Sequence, residues 1–163
     1  MPAIRVHLLA ACAAVALAAC GGGGVGPDAD GLVGNWALDE ASAPDTPGVT
    51  LSEVRVRYDA DGTSDYAARM VVPGPDGGGT VALLLDGDVR WTLDETVLTR
   101  TLEQMRVSAA APSAATDEIA ALYAQGLNGS PPARFIVEAL TDSELVLLDP
   151  DTGDTLRFVR SAG

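Results

Sequence analysis

The 163-residue chain has no lysine, one histidine and two cysteines, and only 4% of it is aromatic. The scarce residues also cluster: His7, Cys12 and Cys20 all fall within the first twenty positions. There Arg5 precedes an apolar run of 12 residues, Leu8 to Ala19, and small residues lead up to Cys20. A charged start, a short apolar run and a small-residue boundary form the layout of an export signal that is later removed. The run is too short for a permanent membrane span, which needs about 20 apolar residues. Cleavage before Cys20 removes His7 and Cys12, leaving no histidine, no lysine and one cysteine at the first position. Acyl transfer needs a base beside Ser or Cys, usually His or Lys, and structural zinc needs several Cys or His ligands. Both chemistries are excluded. Paired carboxylates remain as an option for glycoside chemistry, but nearly all the acids sit in turn strings or on exposed strand faces. The sequence therefore predicts a protein that is not an enzyme, with no catalytic residue, no metal and no cofactor.

Positive charge is also scarce. Ten arginines stand against 23 acidic residues, a formal net charge of −13, and loss of Arg5 makes the balance more negative. Such a body is repelled by nucleic acid and by anionic surfaces. No nucleic-acid partner is expected, and any membrane attachment has to come from something other than a basic face.

Leu17-Ala18-Ala19-Cys20 resembles the lipobox of bacterial lipoproteins, placed at the end of an apolar run of suitable length. The resemblance implies that the Cys20 thiol is diacylated, that cleavage makes Cys20 the new N-terminus, and that its amine is acylated afterwards. Two or three chains anchor stably where one binds marginally, since each buried methylene contributes about 0.8 kcal/mol. In that family an Asp after the cysteine usually marks retention in the inner membrane. Here the residue is Gly21, so the resemblance implies the outer membrane, with the protein facing the periplasm. Gly21 to Gly24, Val25, Gly26, Pro27 and the turn string Asp28 to Gly31 have too little apolar surface to order themselves. They read as a tether with a reach of roughly 20 Å. The expected organisation is a signal peptide over 1–19, the lipidated cysteine and tether over 20–31, and a β domain over 32–163.

Within that domain the period is mostly two. Val54, Val56 and Tyr58 alternate with Glu53, Arg55 and Arg57, and Tyr66, Ala68, Met70 and Val72 resume the alternation after Asp59-Ala60-Asp61-Gly62. This predicts a hairpin with one buried face. Thr80 to Leu85 is apolar on both faces and reads as a strand covered on both sides or an edge against another element. Asp86-Gly87-Asp88 reads as a turn into a further strand with Val89, Trp91 and Leu93 on one side. With strands near Val33–Asp39, Thr96–Val107, Ala133–Leu140, Glu144–Leu148 and Thr155–Arg160, the count is eight or nine. Ser113 to Gln125 is Ala-rich, and Gly126 stands where a helix end favours glycine, so a short helix is expected there. Short strands joined by tight turns predict an all-β, mostly antiparallel domain, either a barrel or a two-sheet sandwich.

Gly34-Asn35-Trp36 on the first strand resembles the Gly-x-Trp signature of lipocalin-like domains, and Phe158-Val159-Arg160 resembles their last strand. The resemblance favours the barrel over the sandwich. It implies that Arg160 lies across Trp36 and closes one end. It also implies a small apolar ligand or lipid, bound in a cavity with Leu83, Leu85, Trp91, Arg100 and Phe135 as candidate lining. Arg100 shares a strand face with Leu98 and Leu102. If that face points inward, the cation needs a partner, which is either a protein acid or a ligand carboxylate. The Asp strings around Gly62 and Gly153 space oxygens as calcium loops do, but hairpin turns require the same residues, and the turn reading is preferred. The alternative function is an interaction lipoprotein with a filled core that contacts an envelope protein partner.

Overall fold

The computed structural model describes residues 28–44, 46–75 and 78–162. Cys20 and the signal segment lie outside the described residues. Eight strands form a closed antiparallel barrel in which each pairs with its sequence neighbours and the last returns to the first. In chain order they are β1 (Gly34–Leu38), β2 (Thr50–Tyr58), β3 (Thr63–Pro73), β4 (Thr80–Asp94), β5 (Val97–Ala109), β6 (Ala133–Leu140), β7 (Glu144–Leu148) and β8 (Thr155–Arg160). Closure comes from β1 on β8, with Trp36 opposite Arg160 and Leu38 opposite Phe158. It rules out the two-sheet sandwich and leaves no free edge of the kind an open sheet would have to protect.

The strand count is eight because Asp86-Gly87-Asp88 is not a turn. β4 runs unbroken through it, with Asp86 opposite Arg106 and Gly87 opposite Met105. The acids point outward, where Arg106 pairs with Asp86 and, at 3.0 Å, with Asp88. Gly87 points inward, and a Cβ there would come within 2.8 Å of the Met105 methyl. The string that reads as turn chemistry is an outward ion pair over an inward gap filled by Met105. Nor is Thr80 to Leu85 covered on both faces: Val81, Leu83 and Leu85 are buried while Leu84 is 44% exposed.

Three bulges curve the strands, as an extra residue in one partner bends and twists it. They fall between Ser52 and Arg55 on β2, at Glu103 on β5, and at Glu138 on β6. Glu53 takes the positive φ, +53°, that the first of these requires.

Only the first residues of β5, Val97 to Arg100, pair with β6. The rest of that edge is taken by a helix, α2 (Ala114–Asn128), which a capping box between Ser113 and Thr116 starts. The Asn128 side chain mimics a neighbouring strand: its Oδ1 accepts from the Met105 amide at 2.7 Å and its Nδ2 donates to the Met105 carbonyl at 2.9 Å. Ala120 is buried, and Ile119, Tyr123 and Leu127 pack on the core. The helix therefore passes through Gly126 instead of stopping there, because Leu127 and Asn128 gain contacts that fraying would forfeit. It ends at Gly129.

The tether reading also gives way at its last residues. Asp28 caps a single helical turn, α1 (Ala29–Leu32), and Leu32 is fully buried under the barrel. The turns at 59–62, 95–96 and 141–143 share this end of the barrel. The loop before β2, the connection from β3 to β4 and the start of α2 lie at the other. The closed barrel and its core lie within residues 28–162, so a chain beginning at Gly21 contains the barrel.

Candidate ligand site in the barrel interior

The α1 end is sealed. Trp36 is fully buried, and its indole N–H donates to the Leu32 carbonyl at 2.8 Å. The Arg160 guanidinium lies 4.3 Å from the Trp36 ring centroid and donates to the carbonyls of Gly31 (2.7 Å), Val33 (2.9 Å) and Asp142 (2.7 Å). Gly34 at φ +135° leaves the space that the guanidinium occupies. Because Arg160 remains exposed, its contact with the ring is worth about 0.5–1 kcal/mol. The three carbonyl bonds fix it in place.

A second arginine faces the interior above this seal. Along the inward row of β5, Leu98 is fully buried, whereas Arg100 and Leu102 are only partly so. Arg100 stands opposite Trp91, with its guanidinium carbon 6.0 Å from the Tyr58 ring centroid and 5.6 Å from that of Tyr66. Tyr58 meets Trp91 edge to face, with centroids 5.6 Å apart. Trp91 directs its N–H out of the group, to the carbonyls of Thr63 (2.9 Å) and Asp59 (3.2 Å).

Two fully buried polar atoms in this group have no hydrogen-bond partner: Nε of Arg100 and the hydroxyl of Tyr58. Among the described residues no carboxylate lies within 4.0 Å of Arg100; the ion pairs there are all made by Arg57, Arg90, Arg106 and Arg157 on the outer surface. Burial raises the pKa of Tyr58 and of Tyr66 above the usual phenol value, and the nearby Arg100 charge partly opposes the rise. Both phenols are therefore neutral donors at pH 7.

The five candidate lining residues all belong to the interior but occupy different levels. Trp91 and Arg100 face each other, Phe135 is one step below beside Leu98, and Leu85 and Leu83 lie well above, opposite Val107 and Ala109. Leu83 is fully buried, and Leu85, Trp91 and Phe135 are between 6% and 9% exposed. Tyr58 and Tyr66 read in the sequence only as packing, yet they flank the cation. Their inward direction was visible in the alternation. Their approach to β5 depends on barrel closure, which no local pattern carries.

Three surface concavities lie elsewhere, and none includes those five residues. The largest, about 530 Å³, lies along β1 to β3 beside Ser161 and Ala162. The others, about 490 and 310 Å³, flank the loop that leads into β2. Among the described residues there is no cluster of three or more His, Cys, Asp or Glu side chains suited to a metal. The Asp strings serve their turns: Asp61 accepts from the Thr63 amide and hydroxyl, and Asp149 from the Asp151 amide.

No family profile matches the chain, and no curated protein matches it. Among solved structures it is similar to a lipocalin-like protein from Bacteroides uniformis, at 18% identity and a TM-score of 0.40, over 81% of this chain and 99% of that one. The description of the closed barrel rests on this chain's own strand pairing.

Proposed function

We propose that the chain is a lipid-anchored envelope protein whose lipocalin-like barrel binds a small apolar ligand or lipid in its interior. The observation that carries this reading is the pair of unmet donors, Arg100 Nε and Tyr58 Oη, inside an otherwise apolar core. An unpaired buried polar atom costs about 1–3 kcal/mol. A few unsatisfied polar groups set in an apolar interior are the usual make-up of a small-molecule site. Attachment is assigned to acyl chains on Cys20, on the strength of the lipobox at Leu17 to Cys20 and the acidic composition. The outer membrane, facing the periplasm, is the location it implies.

Native mass spectrometry of the chain from Gly21, purified gently from its producing cells, tests the binding reading. The expected spectrum shows added mass that disappears on denaturation and is identified as a small apolar compound. A ligand-free mass together with no uptake of fluorescent fatty acids would overturn it. The filled-core module contacting an envelope protein would then be the better account.

A further inference from the structure

We infer that Asn128 and Gly129 form a self-modification site, at which deamidation of Asn128 releases α2 from β5 in a step the chain cannot reverse. The sequence has two asparagines, Asn35 before Trp36 and Asn128 before Gly129. Asparagine followed by glycine is the pair in which cyclisation meets least steric resistance, because the following residue has no Cβ to crowd its own main-chain nitrogen as it attacks. In the reaction the Gly129 nitrogen gives up its proton and bonds to Cγ of Asn128; the Cγ–Nδ2 bond breaks, and the amide nitrogen takes up a proton and leaves as ammonia. Water then opens the cyclic imide at either carbonyl, giving aspartate or its β-linked isomer. Water is the only co-reactant, and both residues are exposed to it.

The same side chain holds the helix in place. Asn128 Nδ2 donates to the carbonyls of Met105 (2.9 Å) and Ala124 (2.8 Å), and its Oδ1 accepts from the Met105 amide at 2.7 Å. Among the described residues, the two bonds to Met105 are the side-chain hydrogen bonds that join α2 to a strand. A carboxylate at this position has acceptors and no donor, so the Met105 and Ala124 carbonyls lose their partner and face a negative charge instead. That charge, on the last helical residue, also opposes the helix dipole. Apolar anchoring offsets little of this: Ala120 is the one buried residue of the helix. Release uncovers the edge of β5 beyond Arg100, where β6 no longer pairs with it, and an uncovered edge is a surface that other strands pair with.

The fold also meters the reaction. In the docked helix three hydrogen bonds fix the Asn128 amide, and the helical backbone keeps the Gly129 nitrogen away from Cγ. Attack therefore waits for the last turn to open, and its rate follows the open fraction. Gly126 keeps that fraction up, since glycine within a helix is less favourable than alanine and a Cβ there would meet nothing within 4 Å.

The test incubates the chain beginning at Gly21 in mildly alkaline buffer, folded and in urea, and follows acid formation at positions 128 and 35 by peptide mass mapping, with hydrogen exchange in parallel. Asn128 is expected to convert in the folded protein, more slowly than in urea, with Asn35 lagging in both. Gly126→Ala should slow conversion of the folded protein about fivefold and leave the rate in urea unchanged. Gly129→Ala, whose Cβ would lie 3.6 Å from the nearest atom, an ordinary contact, should slow conversion in urea as well. Asn128→Asp reproduces the product: α2 and the Met105 amide should lose their exchange protection while β2 to β4 keep theirs. If that variant fails to fold, the same exchange is read on wild-type protein aged to partial conversion. A folded chain that keeps its Asn128 amide after the unfolded chain has fully converted overturns the modification site. Wild-type protection of α2 in Asn128→Asp or in the aged protein overturns the release.

Discussion

The barrel holds two arginines over aromatic rings, and they differ in every other respect. Arg160 lies over Trp36 with its donors directed at three backbone carbonyls. Arg100 lies between Tyr58 and Tyr66 with its Nε unmet. The tryptophans do not divide in this way: the indole N–H of Trp36 and that of Trp91 both find carbonyls. Among the described residues, the buried side-chain polar atoms without a partner both lie at one level of the interior. A side chain that serves the fold has its partners supplied by the fold. One that lacks them is where the proposed binding reading places its ligand.

The largest expected effect comes from breaking the sealed end. Trp36 is fully buried and holds both the Leu32 turn and the Arg160 cap. Trp36→Ala removes that packing and opens a cavity, for which about 3–5 kcal/mol is the usual loss. Urea denaturation followed by circular dichroism should show this as a lower midpoint. A loss below about 1 kcal/mol would mean that the seal contributes little to stability.

A smaller effect sharpens the contrast between the arginines. Arg160→Met forfeits the three carbonyl bonds and the ring contact. Because the site is exposed and water can replace the donors, about 1–2 kcal/mol of stability should be lost. Uptake of fluorescent fatty acids should not change. Were Arg160→Met to impair ligand binding while sparing stability, the assignment of one arginine to the fold and the other to the ligand would fail.

How much of this was legible in the sequence depends on how local each determinant is. The alternation at Val54, Val56 and Tyr58 and at Tyr66 to Val72 is a property of one strand, and it placed the hairpin. Gly34-Asn35-Trp36 and Arg160 could be matched through a resemblance before their contact was seen. Asp86-Gly87-Asp88 misled because Asp and Gly suit both a turn and a strand with outward acids over an inward gap. What decided between them was Arg106 and Met105 on the facing strand. Gly126 misled for a similar reason: the helix continues because Asn128 pairs with Met105, more than twenty residues away in sequence. The inward direction of Arg100 followed from its neighbours Leu98 and Leu102. The absence of any protein carboxylate beside it, and the presence of two tyrosines, depend on how β2, β3 and β5 meet across the closed barrel.

The smallest effect probes the interior level, because it is read at the two tyrosines that flank Arg100. Burial holds Tyr58 and Tyr66 neutral past the pH at which an ordinary phenol ionises. When the protein unfolds at alkaline pH, these phenols release protons that the folded state had retained. The unfolded form then binds fewer protons, and stability falls as pH rises. The window opens near the unperturbed phenol value of about 10, and below it the two tyrosines leave stability independent of pH. Urea midpoints measured in steps from pH 8 to 11 should be flat and then decline. Tyr58→Phe should soften the decline, because one of the two retained protons is gone. The onset itself should stay at about 10 in both proteins, because it is set by the phenol of the unfolded chain. A decline of equal slope in the variant and the wild type would mean that Tyr58 releases no proton on unfolding in this range.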